Sequence, residues 1–285
     1  DSTNIITPLV SVITNISKDH TQFLGDTLCE IAYEKAGIIK PGIPVIVGEI
    51  NDELVENVFR KKAKELNAPL YIPKEEKVLY SDAHLSEQGE WIYDSADYGM
   101  LFGKLIGLVQ FMNTQTVLCT LRVLDKAGVH IPKLAVREGF EQVIELTGLQ
   151  GRWQEVMFEP YTVLDTGHNA GAWKYLTYHI ESEARTRPNL YMIIGLSNDK
   201  DIDEILKEMP KKATYFFTQA SIDRALPAET LASHAKAVGL KGSVYPSVTD
   251  AIYEIMRIAT NDDMVFIGGS NFIVADALPL FEVED

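Results

Sequence analysis

The sequence predicts an α/β protein with two domains, and three observations support this. Strand-like and helix-like segments alternate along most of the 285 residues. Between residues 77 and 105 the pattern changes to short strand-like runs separated by turn residues, which is typical of an antiparallel meander. The polar, glycine-containing segment TGLQGRWQ, residues 147–154, then separates a helix-like run from a strand-like one. We therefore predict domains at residues 1–148 and 149–285, the second with a mostly parallel, doubly wound sheet.

In the first domain, the β-branched run at residues 9–16 predicts a buried strand. A helix is predicted over residues 27–36, because Thr27 and Glu30 have the spacing of a capping box and Gly37 follows. The further strand-like segments are residues 44–48 and 69–72, and the further helix-like segments are residues 52–66, 113–127 and 133–146.

In the second domain, strands and helices alternate regularly, which predicts βα units. The predicted strands are residues 156–164, 190–195, 214–218, 243–245 and 264–267. The predicted helices are residues 170–184, 202–209, 228–238 and 248–260.

The composition indicates a soluble globular protein, with 46% hydrophobic and 24% charged residues. No apolar run reaches the roughly 18 residues that a membrane span needs, and the first residues do not resemble a secretory signal. The two cysteines do not suggest a disulfide framework, so we expect a cytoplasmic protein. A net charge of −15 argues against nonspecific nucleic-acid binding. We expect neither nucleic acid nor membrane as a partner.

A lysine lies on the apolar stripe of the first predicted helix. Leu28, Ile31, Ala32 and Lys35 are spaced to share one helix face. Burial would lower the pKa of the Lys35 amine, and a neutral amine can act as a nucleophile or take up CO₂ to form a carbamate. His20 follows the first predicted strand and could bind a metal through a ring nitrogen. Alternatively, Lys35 extends to solvent and His20 is a surface turn residue.

A second candidate site is the segment VLDTGHNAGAW, residues 163–173, in which a strand leads through a turn into a helix. Asp165 would end the strand, where it could contact ribose hydroxyls. His168 and Asn169 would open the helix, where N–H groups and the helix dipole favour phosphate. Asp and Asn are also ordinary helix caps, so a structural role explains the same pattern.

The segment SKDHTQFLGDTLCEIAYEKAGIIKPG, residues 17–42, closely resembles the signature of the folylpolyglutamate synthase/dihydrofolate synthase family of the Mur ligase superfamily. The opening DSTNII resembles the family's D-A-T-N loop. The resemblance implies part of a central Mur-ligase-type ATPase domain followed by a Rossmann-like glutamate ligase domain. It implies that His20 binds Mg²⁺, that Lys35 is carbamylated and takes part in catalysis, and that Asp1 and Ser2 bind substrate.

Further matches lie in the second half of the chain. DTGHN, residues 165–169, resembles the family motif D-G-A-H-N, which implies that Asp165 contacts the ATP ribose and that His168 lies near the phosphates as a catalytic residue. GRW, residues 151–153, matches the interdomain segment whose arginine, here Arg152, reaches ATP phosphate. Arg152 alone could equally be a surface residue.

Three weaker matches complete the resemblance. QFMN, residues 110–113, resembles H-Q-x-x-N with Val109 in place of the histidine, so Asn113 is a candidate for adenine contact or, alternatively, a helix N-cap. IGGSNF, residues 267–272, resembles a late G-S motif, which places Ser270 near the incoming glutamate. SIDRAL, residues 221–226, matches an R-A pair of the family, which by itself indicates no particular role.

The implied activity is ATP-dependent ligation of L-glutamate to folate, or to dihydropteroate, through an acyl phosphate, with ATP and Mg²⁺ required and a monomer expected. No G-x-x-x-x-G-K-[ST] motif occurs in the sequence. We therefore expect this chain to be the C-terminal part of a longer enzyme and to be inactive alone. Two alternatives stay open: another Mur-type amide ligase acting on peptidoglycan precursors, and a Rossmann-like binding module without catalysis.

Overall fold

A computed structural model of the protein describes residues 4–17, 25, 27–81, 83–86, 90–198 and 201–281. The chain forms two compact units, Asp1–Leu149 and Gln150–Asp285. Three predicted site residues lie outside the described residues: Asp1, Ser2 and His20. Within the described residues, no helix is long and apolar enough to cross a membrane.

The first unit contains a parallel sheet in the order β1 (Ser11–Asn15), β2 (Val45–Glu49), β3 (Leu70–Tyr71). Helices α1 (Leu28–Lys35) and α2 (Glu53–Glu65) pack against it, and a 3₁₀ turn, Ala36–Ile38, extends α1. The predicted capping box at α1 is present, with Thr27 and Glu30 bonding reciprocally. Local capping thus determines where the helix that carries Lys35 begins.

The predicted meander follows, with β4 (His84–Leu85), β5 (Trp91–Ser95) and β6 (Gly99–Gly103) pairing antiparallel in that order. Three helices, α3 (Gln110–Lys126), α4 (Lys133–Glu141) and α5 (Val143–Thr147), complete the unit. The single helix predicted over residues 133–146 is divided at Gln142, whose φ of −126° and ψ of 25° leave the helical region.

The second unit contains a sheet of strands β7 to β12. They are β7 (Gln154–Phe158), β8 (Tyr161–Asp165), β9 (Leu190–Ile194), β10 (Thr214–Phe217), β11 (Lys241–Val244) and β12 (Met264–Gly268). The order is β11-β10-β9-β12-β8-β7, and all neighbours are parallel except β7 and β8. The strand predicted over residues 156–164 is wrong as a single element, because the chain reverses at Glu159–Pro160 and pairs the two halves as a hairpin.

Helices cover both faces of this sheet. On one face α6 (Ala170–Ala184), α7 (Ile202–Glu208) and α8 (Ala228–Ala237) contact one another in succession. On the other face α9 (Val248–Ile258) and α10 (Asn271–Ala277) pack together. Successive side chains of β12 point to opposite faces of the sheet. Val265 and Ile267 pack with α9 and α10 on one face, and the Phe266 ring contacts Trp173 of α6 on the other. The doubly wound sheet predicted from the sequence is confirmed.

The order of connections creates a reversal at the centre of this sheet. From β8 the chain proceeds through β9 and β10 to β11, then returns and inserts β12 between β8 and β9. Strands β8 and β12 are therefore neighbours, yet the loops that follow them lead to helices on opposite faces of the sheet, α6 after β8 and α10 after β12. Ligands of open α/β sheets bind at such a switch point, at the carboxyl ends of the strands.

Candidate functional site

Three loops meet at the carboxyl ends of β8, β9 and β12 in the second unit. Gly268 pairs with Asp165 on one side and with Ile194 on the other. A Cβ on Gly268 would lie 2.4 Å from the Asp165 carbonyl oxygen, and one on Gly269, whose φ is +98°, would lie 2.5 Å from the Gly195 oxygen. Only glycine allows the backbones to come this close. The predicted segments 165–169 and 268–270 are therefore held side by side.

Asp165 fastens two backbone segments together. Its Oδ2 accepts a hydrogen bond from the Trp153 N–H at 2.8 Å, and its Oδ1 accepts one from the Gly167 N–H at 2.8 Å. The side chain is buried, and burial raises the pKa of the Asp165 carboxyl, opposed by those two N–H donors and by the nearby charge of Arg152. Neither donor belongs to a helix terminus, so Asp165 is not a helix cap; it positions the loop before β7 against the loop after β8.

Arg152 is exposed but tethered to the loop after β8. Its Nη1 donates to the Thr166 hydroxyl oxygen and, at 3.1 Å, to the Gly151 carbonyl. Thr166 in turn bonds Gly151 through both its backbone N–H and its hydroxyl, each at 3.0 Å. Gly151 has a φ of +70°, and a Cβ there would lie 2.6 Å from Thr166 Cγ2. The structure thus brings Arg152 and Asp165 together, as the two separate motifs suggested.

His168 and Asn169 occupy the turn into α6. The His168 Nδ1 lies 3.0 Å from the Thr166 carbonyl oxygen, and because a carbonyl only accepts, Nδ1 carries the proton. A neutral His168 therefore has its basic lone pair on Nε2. Asn169 is the N-cap of α6, accepting from the Ala172 N–H at 2.9 Å, so the ordinary capping role is confirmed for this residue. Arg152 and the α6 N-terminus together favour a bound anion.

Ser270 begins α10 beside this loop. Its Oγ accepts from the Ile273 N–H at 3.2 Å and is buried. A hydroxyl that accepts as a cap still carries a proton to donate. The predicted contact of Ser270 with glutamate stays a prediction.

In the first unit, Lys35 lies on the predicted stripe. Ile31 and Ala32 are fully buried, Lys35 is half-buried, and its Nζ donates to the Asn15 carbonyl at 3.3 Å. The amine therefore lies at the carboxyl end of β1 and bonds to the protein, rather than only extending to solvent. Among the described residues, no group of three or more His, Cys, Asp or Glu side chains could hold a metal ion.

Asn113 is not a helix N-cap, which corrects the structural alternative considered for it. Helix α3 begins at Gln110, so Asn113 lies within its first turn, and its amide donates to the Gln110 Oε1 at 3.0 Å. The missed start has a physical reason: Val109 provides no side-chain cap that would mark it. The proposed adenine contact stays a prediction.

Sequence reasoning missed the role of Trp153. The residue has a φ of +46°, is 2% exposed, and stacks its ring on His179 of α6 at a centroid distance of 3.6 Å. The sequence offered no local signal for this role, because the partner of Trp153 lies on a different element. The stack fixes the backbone that presents Arg152.

His179 makes the stability of this unit depend on pH. Burial lowers the pKa of its imidazole to about 4, from about 6.5 in the unfolded chain. Between these values the unfolded state binds a proton that the folded state does not, so the unfolding free energy falls as pH decreases from 6.5 to 4. The loss from this group levels off at about 3 kcal/mol below pH 4.

The substitution His179→Phe keeps a ring against Trp153 and removes the titration. We expect its unfolding free energy, measured by urea denaturation at pH 7 and pH 4.5, to fall less with acid than that of the unsubstituted protein. His84→Phe, at an exposed histidine, is the matched control. Equal pH dependence of His179→Phe and the unsubstituted protein would contradict the assignment.

The sequence and the fold of this chain are similar to those of known proteins. The family model "Mur ligase, glutamate ligase domain" matches residues 151–271. The Bacillus subtilis dihydrofolate synthase/folylpolyglutamate synthase is 29% identical over 97% of this chain and 63% of the relative. A structure of Escherichia coli FolC with DHPP and ADP is 28% identical with a TM-score of 0.80, covering 98% of this chain and 63% of that one. A Yersinia pestis bifunctional folylpolyglutamate synthase/dihydrofolate synthase with AMPPNP and Mn is 26% identical with a TM-score of 0.76, covering 99% and 64%.

The matched residues contain the loops after β8 and β9, and Gly268 to Ser270 at the end of β12. The chain spans less than two thirds of the length of these relatives. The fold and the motif resemblance agree with these findings: residues 151–271 match the model of the glutamate ligase domain of Mur ligases, and the chain is similar along nearly its whole length to the dihydrofolate synthase/folylpolyglutamate synthases.

Proposed function

We propose that this protein takes part in the ATP-dependent ligation of L-glutamate to a folate, or to dihydropteroate, through an acyl phosphate. One observation carries the proposal: Arg152, Asp165 and His168 are assembled around a single loop in a domain that matches the glutamate ligase model. The similar Escherichia coli structure holds DHPP and ADP, which supports a pterin substrate and a nucleotide.

The reaction has two steps. The γ-phosphoryl group of ATP is transferred to the substrate carboxylate, giving ADP and an acyl phosphate. The amine of L-glutamate then attacks the acyl carbon, the C–O bond to phosphate breaks, and an amide, phosphate and a proton are released. Such catalysis consists mostly of positioning and charge stabilisation.

The residues of this chain have distinct parts in those steps. Arg152 and the N-terminus of α6 stabilise the negative charge of the transferring phosphoryl group. His168, which carries its proton on Nδ1, is proposed to lie near the phosphates as a catalytic residue. Asp165 holds the loop of Arg152 in place and is proposed to contact the ribose, while Asn113 is proposed to contact adenine.

Mg²⁺ is the proposed metal, held by His20, which lies outside the described residues, and by a carbamate on Lys35. The position of Lys35 supports this, because its half-buried amine lies at the carboxyl end of a parallel strand. A carbamate there would supply the hard oxygen ligand that Mg²⁺ prefers. The bound ion would neutralise phosphate charge.

We further propose that residues 1–148 form the C-terminal part of a central ATP-binding domain, that residues 149–285 act as the glutamate ligase domain, and that the protein is a cytoplasmic monomer. Asp1, Ser2 and Ser270 are proposed to contact substrate. Substrates would be ATP, L-glutamate, and folate or dihydropteroate.

The test measures ADP release and product mass with the protein as its gene encodes it and, separately, with this 285-residue chain. ATP, Mg²⁺ and L-glutamate are supplied with dihydropteroate or tetrahydrofolate. From the protein as its gene encodes it, we expect a product heavier by one glutamyl residue and ADP release that requires both acceptor and glutamate; from the 285-residue chain we expect no turnover. Turnover only with a nucleotide-linked peptidoglycan precursor would identify another Mur-type ligase, and nucleotide binding without any turnover would indicate a binding module.

A further inference from the structure

Lys40 joins two segments that are distant in the sequence. Its Nζ donates to the Asn4 carbonyl oxygen, to the Asn4 Oδ1 at 2.7 Å and, at 3.5 Å, to the Gly37 carbonyl oxygen. An ammonium group has three N–H donors, and all three acceptors here are uncharged oxygens. Asn4 belongs to the opening segment, residues 1–6, and Gly37 to the 3₁₀ turn that extends α1. Lys40 therefore holds the opening segment to this turn.

Gly37 leaves the space that this contact needs. A Cβ on Gly37 would lie 3.2 Å from the Asn4 Nδ2, closer than most Cβ atoms come to a neighbouring atom. The Asn4 amide therefore lies against bare backbone. Because an ammonium only donates, the Oδ1 side of that amide faces Lys40. Two bonds from one ammonium fix both the backbone of Asn4 and the orientation of its side chain.

The 3₁₀ turn has contacts of its own and does not depend on Lys40. The Ser11 Oγ donates to the Ile38 carbonyl at 2.9 Å, and Ile39, directly after the turn, is buried in the core of the first unit. The described part of the opening segment is exposed, with Ile5 at 93%. Loss of the Lys40 bonds should therefore release the opening segment and leave the turn in place.

We propose that Lys40 is a positioning residue, which sets the affinity for the acceptor, folate or dihydropteroate, by holding the opening segment. This inference rests on the proposed function, in which Asp1 and Ser2 contact substrate. Both residues precede Asn4 by only two or three positions, so their placement follows that of Asn4. A segment that is already held loses less conformational entropy when a ligand binds, which favours affinity.

Acceptor binding, rather than nucleotide binding, should respond to this contact. Lys35, the proposed metal ligand, is held separately, because the capping box fixes the start of its helix and its Nζ bonds to the Asn15 carbonyl. The phosphate-binding candidate Arg152 belongs to the second unit. Removal of the Lys40 bonds should therefore weaken acceptor binding while the affinity for ATP is retained.

The test compares Lys40→Met with the unsubstituted protein, in the form its gene encodes. Methionine keeps an apolar stem and removes the N–H donors. We expect the KM for dihydropteroate to rise about 10-fold, the effect of losing one hydrogen bond to a charged group, with the KM for ATP nearly unchanged. Lys40→Arg keeps N–H donors on a long side chain and should restore part of the affinity.

A double-variant comparison and a matched control complete the test. Asn4→Ala should raise the same KM, and combining it with Lys40→Met should raise it little further, because both changes remove the same bonds. Lys61→Met, at an exposed lysine of α2, is the control. Calorimetric titration with dihydropteroate measures its Kd without turnover, and the Kd should change as the KM does.

The outcomes separate the inference from the function on which it rests. If the unsubstituted protein binds dihydropteroate but ligates no glutamate, the proposed function fails, and the Kd values of the variants still decide the role of Lys40. If it neither binds nor turns over dihydropteroate, both fail. An unchanged KM and Kd for dihydropteroate in Lys40→Met, even with a lower melting temperature, would restrict Lys40 to stability and overturn the inference. An equal rise in the KM for ATP would also overturn it. Circular dichroism confirms that each variant is folded.

Discussion

Replacing Lys35 with alanine is expected to lower kcat by about 10²- to 10³-fold, the typical effect of removing one preorganised electrostatic group from an active site. The reason is chemical: the half-buried amine at the end of β1 is proposed to act as a carbamate and ligand to Mg²⁺. Steady-state ADP release measures the effect. Lys64→Ala, at an exposed position of α2, provides the control.

Three further observations test the carbamate itself. Lys35→Arg keeps a positive charge but cannot take up CO₂, so it should be as inactive as Lys35→Ala. Short carboxylates such as acetate should partly restore Lys35→Ala by occupying the space of the missing group. Mass spectrometry of the native protein should show one added CO₂ that Lys35→Arg lacks. Full activity of Lys35→Arg would mean that the lysine only spans from the apolar stripe to solvent.

Asp165→Asn is expected to reduce the unfolding free energy by about 2–3 kcal/mol. The carboxylate accepts one backbone N–H on each oxygen, from Trp153 and from Gly167. An asparagine has a single acceptor oxygen, so one of these N–H groups would face an amide that also donates. Urea denaturation followed by fluorescence measures the loss, because Trp153 and Trp173 both lie in this unit.

The same variant separates two roles of Asp165. Asp262→Asn, at an exposed aspartate, is the control for stability. If Asp165 also contacts the ribose, Asp165→Asn should lower the discrimination between ATP and 2′-deoxy-ATP. A loss of stability with unchanged discrimination would restrict Asp165 to positioning the loop of Arg152. No loss of stability would contradict the role derived from its two hydrogen bonds.

The elements that the sequence predicted well are those with strong local signals. Continuous β-branched and aromatic runs identified β1, β9 and β12, and reciprocal capping identified α1. Tertiary context decided the elements that were missed. The hairpin of β7 and β8 reads as one apolar run, and the start of α3 has no capping side chain.

The same distinction applies to the candidate site. Each motif could be recognised locally, but the sequence does not state that β12 lies between β8 and β9. Only the strand order brings Gly268 against Asp165. Trp153 was missed because its importance depends on the stack with His179, a residue on a different element.

The central position of β12 has a consequence for biosynthesis. It is the last strand of this sheet in chain order, yet both of its neighbours, β8 and β9, are made much earlier. Until Met264–Gly268 has been synthesised and has inserted, those two strands lack their shared partner and present unpaired edges. Such long-range pairing slows folding and prolongs exposure to aggregation. Premature termination within the second unit before β12 should therefore leave that unit as an aggregating segment rather than a smaller folded domain.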